Sequence, residues 1–259
     1  MTKTQTIVLT GVGLGVMAVI ITVKIIFFPS ISDKYFTVNS GRLKQVPSGL
    51  VVIRPTHFAN SAQNRVAYAQ VKGKERFVGV NMTFQMVISM AYNQNSSHIT
   101  VPWNAPKNDF DVLVTAAGNP SQLLQTAIRR KLGFIATLQT NDTPVLDLKA
   151  ENPNPPDLKA SADNEKESEN VKNGRLYLTH TRLKDIMGGI EQMVRMPVVD
   201  QTGMTNFYDF SLAWNTQMQQ QLQAGKMDEE TGKTILAGWG LGLEPDTASM
   251  PMLVVEKTN

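Results

Sequence analysis

The side chains able to do chemistry are few and scattered. His57, His98 and His180 are the only histidines in 259 residues. No two of them stand three or four apart, so no single helix can present a histidine pair to a metal. The absence of cysteine removes thiolate ligands, thiol nucleophiles, iron–sulfur clusters and disulfides together. Asp200, in VVDQTG, invites comparison with the strand-turn of aspartic proteases, where a carboxylate precedes Thr and Gly. The inserted Gln201 spoils that spacing, and the second copy needed to share a proton is missing. A turn built by Asp200, Thr202 and Gly203 is the better account. Asp109 and Asp111 lie two apart on a predicted strand, so with Phe110 turned to a core both carboxylates are expected to face water or a turn.

No G-x-S-x-G elbow, phosphate loop or metalloprotease helix motif is present. Gly238, Gly240 and Gly242 surround Trp239 without the Lys and Ser/Thr of a phosphate loop, and their expected work is close packing at a helix end. Trp103, Trp214 and Trp239 are candidate interface anchors or core residues. The expectation is a chain with no catalytic residues, no cofactor and no metal, hence not an enzyme.

Composition agrees with a folded body. Apolar residues make up 42% and charged residues 18%, ordinary for a globular protein. Net charge is +3 and the basic residues are scattered, which argues against nucleic acid as a partner.

The strongest local signal is the apolar run Ile7 to Phe28, long enough as a helix (about 33 Å) to cross a bilayer. Lys24 can reach headgroups with its long stem, and Pro29 ends the run. A cleavable signal peptide, with Ser30 and Ser32 as a small-x-small site, is the rival reading; the run exceeds a typical signal core. Gly11, Gly15, Ala18 and Thr22 line one face, either as a packing surface for a partner helix or through the ordinary abundance of glycine in membrane helices. Lys34, Arg42 and Lys44 outnumber Lys3 and the amino terminus, which by charge favours a cytoplasmic body.

Beyond the anchor, strands are expected at Leu50 to Arg54, Val66 to Val71, Arg76 to Val80, Phe110 to Thr115, Phe134 to Gln139 and Val145 to Lys149. Helices are expected after Thr83 and from Pro120 to Gly133. The stretch from Ala150 to Asn173 is rich in proline and charge and reads as an exposed linker. A second half follows, with a strand from Arg175, a helix after Thr181, a strand from Tyr208, a helix from Thr231 and a strand from Pro251. NMTFQMVISM matches THTRLKDIMG, and FDVLV matches YDFSL, so the halves read as a duplication. The expected fold class is α+β: one N-terminal transmembrane helix, then a soluble tandem of two β-α-β-α-β-β-like units. The expected boundaries are an anchor over 1–29, a first unit over 30–149, a linker over 150–173 and a second unit over 174–259.

At LVVIRP, ERFVGVNMTFQMVISMAY, VPWNAPKNDFDVLVTA and above all PVVDQTGMTNFYDFSLAW, the chain resembles an exported, soil-associated acidobacterial-type domain family of unknown function. The resemblance runs from about Leu50 to the C-terminus. It implies an exported protein, commonly anchored at its N-terminus, with the soluble region in the periplasm, against the charge count. It carries over no chemistry. One member of similar layout looks like an accessory subunit of a bacterial photosynthetic reaction centre–antenna complex. The functional expectation is a non-catalytic structural or assembly subunit of a larger membrane complex, with other subunits and the lipid bilayer as partners. The alternative is an exported ligand-binding or sensor module using a cleft between the halves.

Overall fold

Two 17-residue strands, Phe134–Ala150 (β6) and Leu241–Lys257 (β12), pair antiparallel along their whole length and form the spine of the molecule. The structure is a computed structural model that describes residues 32–58, 65–162, 164–215, 218 and 229–258. Before β6 come β1 (Val51–Pro55), β2 (Arg65–Val71), β3 (Lys74–Met82), β4 (Ile99–Thr100) and β5 (Phe110–Val114). The second half supplies β7 (Leu158–Ala160), β8 (Ser168–Lys172), β9 (Arg175–Arg182), β10 (Val198–Asp200) and β11 (Phe207–Ala213). The helices are α1 (Ser40–Gln45), α2 (Phe84–Tyr92), α3 (Pro120–Leu132), α4 (Leu183–Val194) and α5 (Glu229–Gly238).

The described strands form three four-stranded sheets, ordered β1-β5-β3-β2, β10-β6-β12-β4 and β7-β11-β9-β8. The outer two have the same order, and the middle one reads alike from either end, because each half repeats β-β-β-α-β-β-α-β. Local devices repeat too. Lys72 and Gly73 turn β2 into β3 with positive φ at both, as Asn173 and Gly174 do between β8 and β9, the geometry of a two-residue type I′ hairpin. In β3 the ladder slips between Gly79 and Met82, and Asn81 takes φ 57°. Opposite, Asp111 accepts the Asn81 N–H at 3.3 Å. The second half repeats this with His180 at φ 52° and Asp209, which accepts the His180 N–H at 2.9 Å. Each bulge is thus held by a carboxylate from the neighbouring strand.

The expected fold class needs correction. Among the described residues no helix is long and apolar enough to cross a membrane; the expected span, with Gly11, Gly15, Ala18 and Thr22, lies outside the described residues. The order within each half is not β-α-β-α-β-β. Nor is 150–173 a bare linker, since it supplies β7 and β8 to the third sheet. The two strands expected over 134–149 are one, because Asn141, Asp142 and Pro144 read as turn residues yet sit in a continuous ladder.

One core packs Phe77, Val112, Val114, Val87, Ile88, Leu124 and Ile128 with Phe134, and is completed by Leu253 and Val255 from the far end of the chain. The other joins Leu176, Ile190, Phe210, Leu236 and Trp239 with Leu148 from the first half. Neither half closes its core alone. The first sheet is covered on its second face as well: Phe36, Leu43 and Val46 from the segment leading into β1 pack on Val52, Val78, Val80 and Leu113. Arg76 secures that cover by donating to the carbonyls of Leu43, Lys44 and Val46, which places a cation at the negative end of α1.

Candidate functional site

The covered second face explains the most buried charge in the molecule. Asp111 is 0% exposed, not turned to water, because the face opposite Phe110 is also inside. It accepts from Arg54 Nε at 3.2 Å, Thr56 Oγ1 at 2.7 Å, the His57 N–H at 3.1 Å and Asn81. Arg54, itself buried, lies over the Phe36 ring at 3.9 Å and reaches Asp33 Oδ1 at 2.6 Å. Asp33 also meets His57 Nδ1 at 3.0 Å, and hydrogen bonds from Arg54 and His57 hold its carboxyl below the usual range. Both oxygens of Asp111 and Oδ1 of Asp33 are engaged in pinning the lead-in to the sheet, which accounts for the cluster as a structural tie.

His98 pairs with Glu191 across the two halves, and His180 stacks on Phe207 at 3.9 Å. Ser161 Oγ stands 3.2 Å from His180 Nδ1 and 2.8 Å from Glu165 Oε2. The hydroxyl has one proton and donates it in the hydrogen bond to the carboxylate, so the ring is left donating to the oxygen rather than activating it. Asp200 closes a turn, accepting from the Thr202 N–H and Oγ1 at 2.9 and 2.6 Å. The structure brings no two of the histidines together, and among the described residues no group of three or more His, Asp or Glu converges as a metal site would require.

The tryptophans separate sharply. Trp239 is 3% exposed, sits edge-on to Phe210 at 5.1 Å and donates Nε1 to the Ser211 carbonyl at 2.8 Å, so it is core. The chain after it is packed tightly. Gly240 has φ 70°, and a Cβ there would lie 2.5 Å from the Asn152 carbonyl. Trp214 packs against the same core. Trp103 is 91% exposed. It rides on the loop 101–109 between β4 and β5, which is stiffened by Pro102 and Pro106 and closed by the Ala105 N–H to Pro102 carbonyl bond at 2.9 Å. Val101 and Ala105 bed that loop on the first core, so the indole is held out from a fixed base.

The same loop supplies Pro106 and Asn108 to a groove walled by the end of β1 and the last turn of α3, where Arg54, Arg130 and Lys131 converge. Lys131 Nζ donates to the Ile53 carbonyl at 3.2 Å, and burial lowers its pKa. Sequence reading missed this groove and the Arg54–Asp111 cluster. The run Arg129, Arg130, Lys131 was the only trace of the groove, and it reads equally as balance for a helix dipole. The seam between the halves holds the continuous β6–β12 ladder and the Glu191 contacts.

A family model described as a protein of unknown function, DUF3738, matches residues 85–258, from α2 to the end of β12, and carries neither the acidobacterial nor the photosynthetic attribution. No curated protein and no solved structure matches the chain at a significant level. The match spans most of the chain, including both long strands, Trp103 and Asp111, and the chain therefore belongs to the DUF3738 family of proteins of unknown function.

Proposed function

We propose that the chain is a non-catalytic assembly subunit that docks onto a larger protein complex through the loop carrying Trp103. The observation that supports this reading is the exposure of that indole, 91%, on a proline-braced loop seated on the core. An indole offers on the order of 200 Å2 of contact to a partner. Tryptophan is also the residue most enriched among the few that dominate binding energy at interfaces. Engaged polar clusters on both halves fit a scaffold, not a turnover site. A photosynthetic complex as the host, and an exported location, rest on the sequence resemblance alone.

The test is affinity purification of the full chain from its native cells in mild detergent, beside Trp103→Ala. Co-purifying subunits are expected with the natural chain and are expected to be lost with Trp103→Ala, while thermal unfolding stays unchanged. A monodisperse monomer with no co-purifying subunit removes the proposal, as does a complement of partners that ignores the substitution. Protease accessibility in spheroplasts tests the exported location separately.

A further inference from the structure

The groove beside the Trp103 loop has a volume of about 540 Å3, within the range of small-molecule sites. Apolar walls come from Ile53, Pro106 and Leu132, and the charge comes from Arg54, Arg130 and Lys131, with no carboxylate on the lining. That is a local excess of positive charge in a chain whose 25 basic and 22 acidic residues nearly balance. The three cations differ in their commitments. Arg54 is turned inward to Asp111 and Asp33. Lys131 is fixed to the wall by its bond to the Ile53 carbonyl. Arg130 is exposed and makes no ion pair among the described residues. Helix-dipole balance accounts for a basic last turn but not for this arrangement, since Arg129 satisfies it without lining the groove.

We propose that this groove binds an organic monoanion, with a carboxylate seated at Arg130 and Lys131 and an apolar body lying along Ile53, Pro106 and Leu132. A guanidinium fork matches the two oxygens of a carboxylate. With Arg54 neutralised from below, the remaining charge suits a monoanion better than a phosphate. Ile53, Pro106 and Leu132 offer nothing to a polar body, and the Asn108 amide is the one uncharged polar side chain on the lining. A floor already held by Asp111 and the Ile53 carbonyl needs little ordering on binding. The carboxylate has two sources, a free organic acid or the C-terminal residue of another polypeptide. The inference goes beyond the assembly reading and does not depend on Trp103.

Methyl NMR of the full chain titrated with hexanoate tests it, because Ile53 and Leu132 report from the walls. Saturable shifts of both are expected with hexanoate and none with hexanol. Arg130→Gln is expected to weaken hexanoate about tenfold or more, the loss of one charge-assisted hydrogen bond. Arg130 is exposed on a helix, so the substitution spares the fold, and Trp103→Ala leaves the titration unchanged. A peptide ending in leucine with a free carboxylate separates the sources. Tighter binding than hexanoate, abolished by amidation, assigns the site to a polypeptide terminus; hexanoate binding without peptide binding assigns it to a free acid. Absence of shifts with both, equal shifts with hexanol, or indifference to Arg130→Gln overturns the proposal.

Discussion

His98 Nε2 lies 2.7 Å from Glu191 Oε1, and this pair ties the turn before β4 in one half to α4 in the other. Glu191 is 6% exposed and fully engaged: Oε1 also accepts the Val198 N–H at 3.1 Å, and Oε2 accepts from Asn95 Nδ2 at 2.6 Å and Ser97 Oγ at 3.0 Å. Burial pushes the Glu191 carboxyl up, but the bonds from His98 and Val198 and the charge of His98 outweigh it, and the net shift is downward. The bond to Glu191 raises His98 against an opposing burial effect.

The pH dependence follows from those directions. His98, raised above its ordinary 6.5, contributes stability that is complete below that value and is lost as pH rises through the folded pKa. Glu191, lowered below its ordinary 4.5, contributes stability that is present above that value and is lost as pH falls through the folded pKa. The clamp therefore contributes most between about pH 4.5 and 6.5. His98→Ala strands a buried carboxylate and is expected to cost on the order of 3 kcal/mol in that window. Urea denaturation across pH, natural chain against His98→Ala, checks it; a difference independent of pH would refute the charged pairing.

Asp111 and Asp209 hold equivalent bulges, but their surroundings differ. Asp111 is buried with Arg54, Thr56 and two backbone donors, whereas Asp209 is partly exposed and holds the His180 N–H. Asp111→Ala leaves the Arg54 guanidinium with only the half-exposed Asp33 carboxylate and deprives Thr56 and the His57 and Asn81 N–H groups of their acceptor, and should cost about 3 kcal/mol. Asp209→Ala should cost about 1 kcal/mol, one hydrogen bond. Equal losses in denaturant melts would show that the lead-in does not seal the first sheet.

The ladder of β6 and β12 tolerates Pro144, Pro245 and Pro251 for a reason of parity. The Leu146 N–H points away from β12, to the Pro197 carbonyl at 3.0 Å, and the Ala136 N–H points away to Tyr92 Oη at 3.1 Å. Even-numbered residues of β6 thus form non-hydrogen-bonded pairs with β12. Pro144 is one of them, and Pro245 and Pro251 face Leu146 and Thr140. None removes a ladder bond. Thr247, opposite Pro144, has its N–H turned outward as well, to Asp246 Oδ1 at 2.8 Å. Thr247→Pro should therefore cost under about 1 kcal/mol and its neighbour Ala248→Pro about 3 kcal/mol or more. Thermal melts of the two variants decide this, and the reverse order would mean the register is shifted by one residue.

That parity marks where the sequence was legible. Helices α2 and α3 could be read from apolar spacing and from Thr83, Pro120 and Gly133 at their ends, since caps and periodicity are local. The long strands could not, because a proline reads as a breaker unless its partner strand and pair type are known. Asp111 misled for a similar reason: alternation predicts an exposed face only when a sheet has one, and here Phe36 and Leu43 cover the other. The groove was hidden because Ile53, Pro106 and Arg130 meet only in three dimensions. Trp103 and Trp239 differ by whether their segments end in a core, which residue type does not encode.

The exchange of final strands predicts that damage crosses from one half to the other. Leu253 belongs to the second repeat by sequence but is 4% exposed in the first core, beside Val255, Ile99 and Phe134. Leu148 lies in the first repeat and is buried in the second core. Truncating either to alanine leaves a cavity worth about 3 kcal/mol. If each half were a separate domain, Leu253→Ala would loosen α4 and α5. With the strands exchanged, hydrogen exchange should instead accelerate in α2 and α3 for Leu253→Ala and in α4 and α5 for Leu148→Ala. Because one ladder runs through both cores, severe destabilisation should still unfold the chain in a single transition. Two separated melting steps, or exchange that rises in the half that owns the substituted residue by sequence, would show that the repeats fold apart.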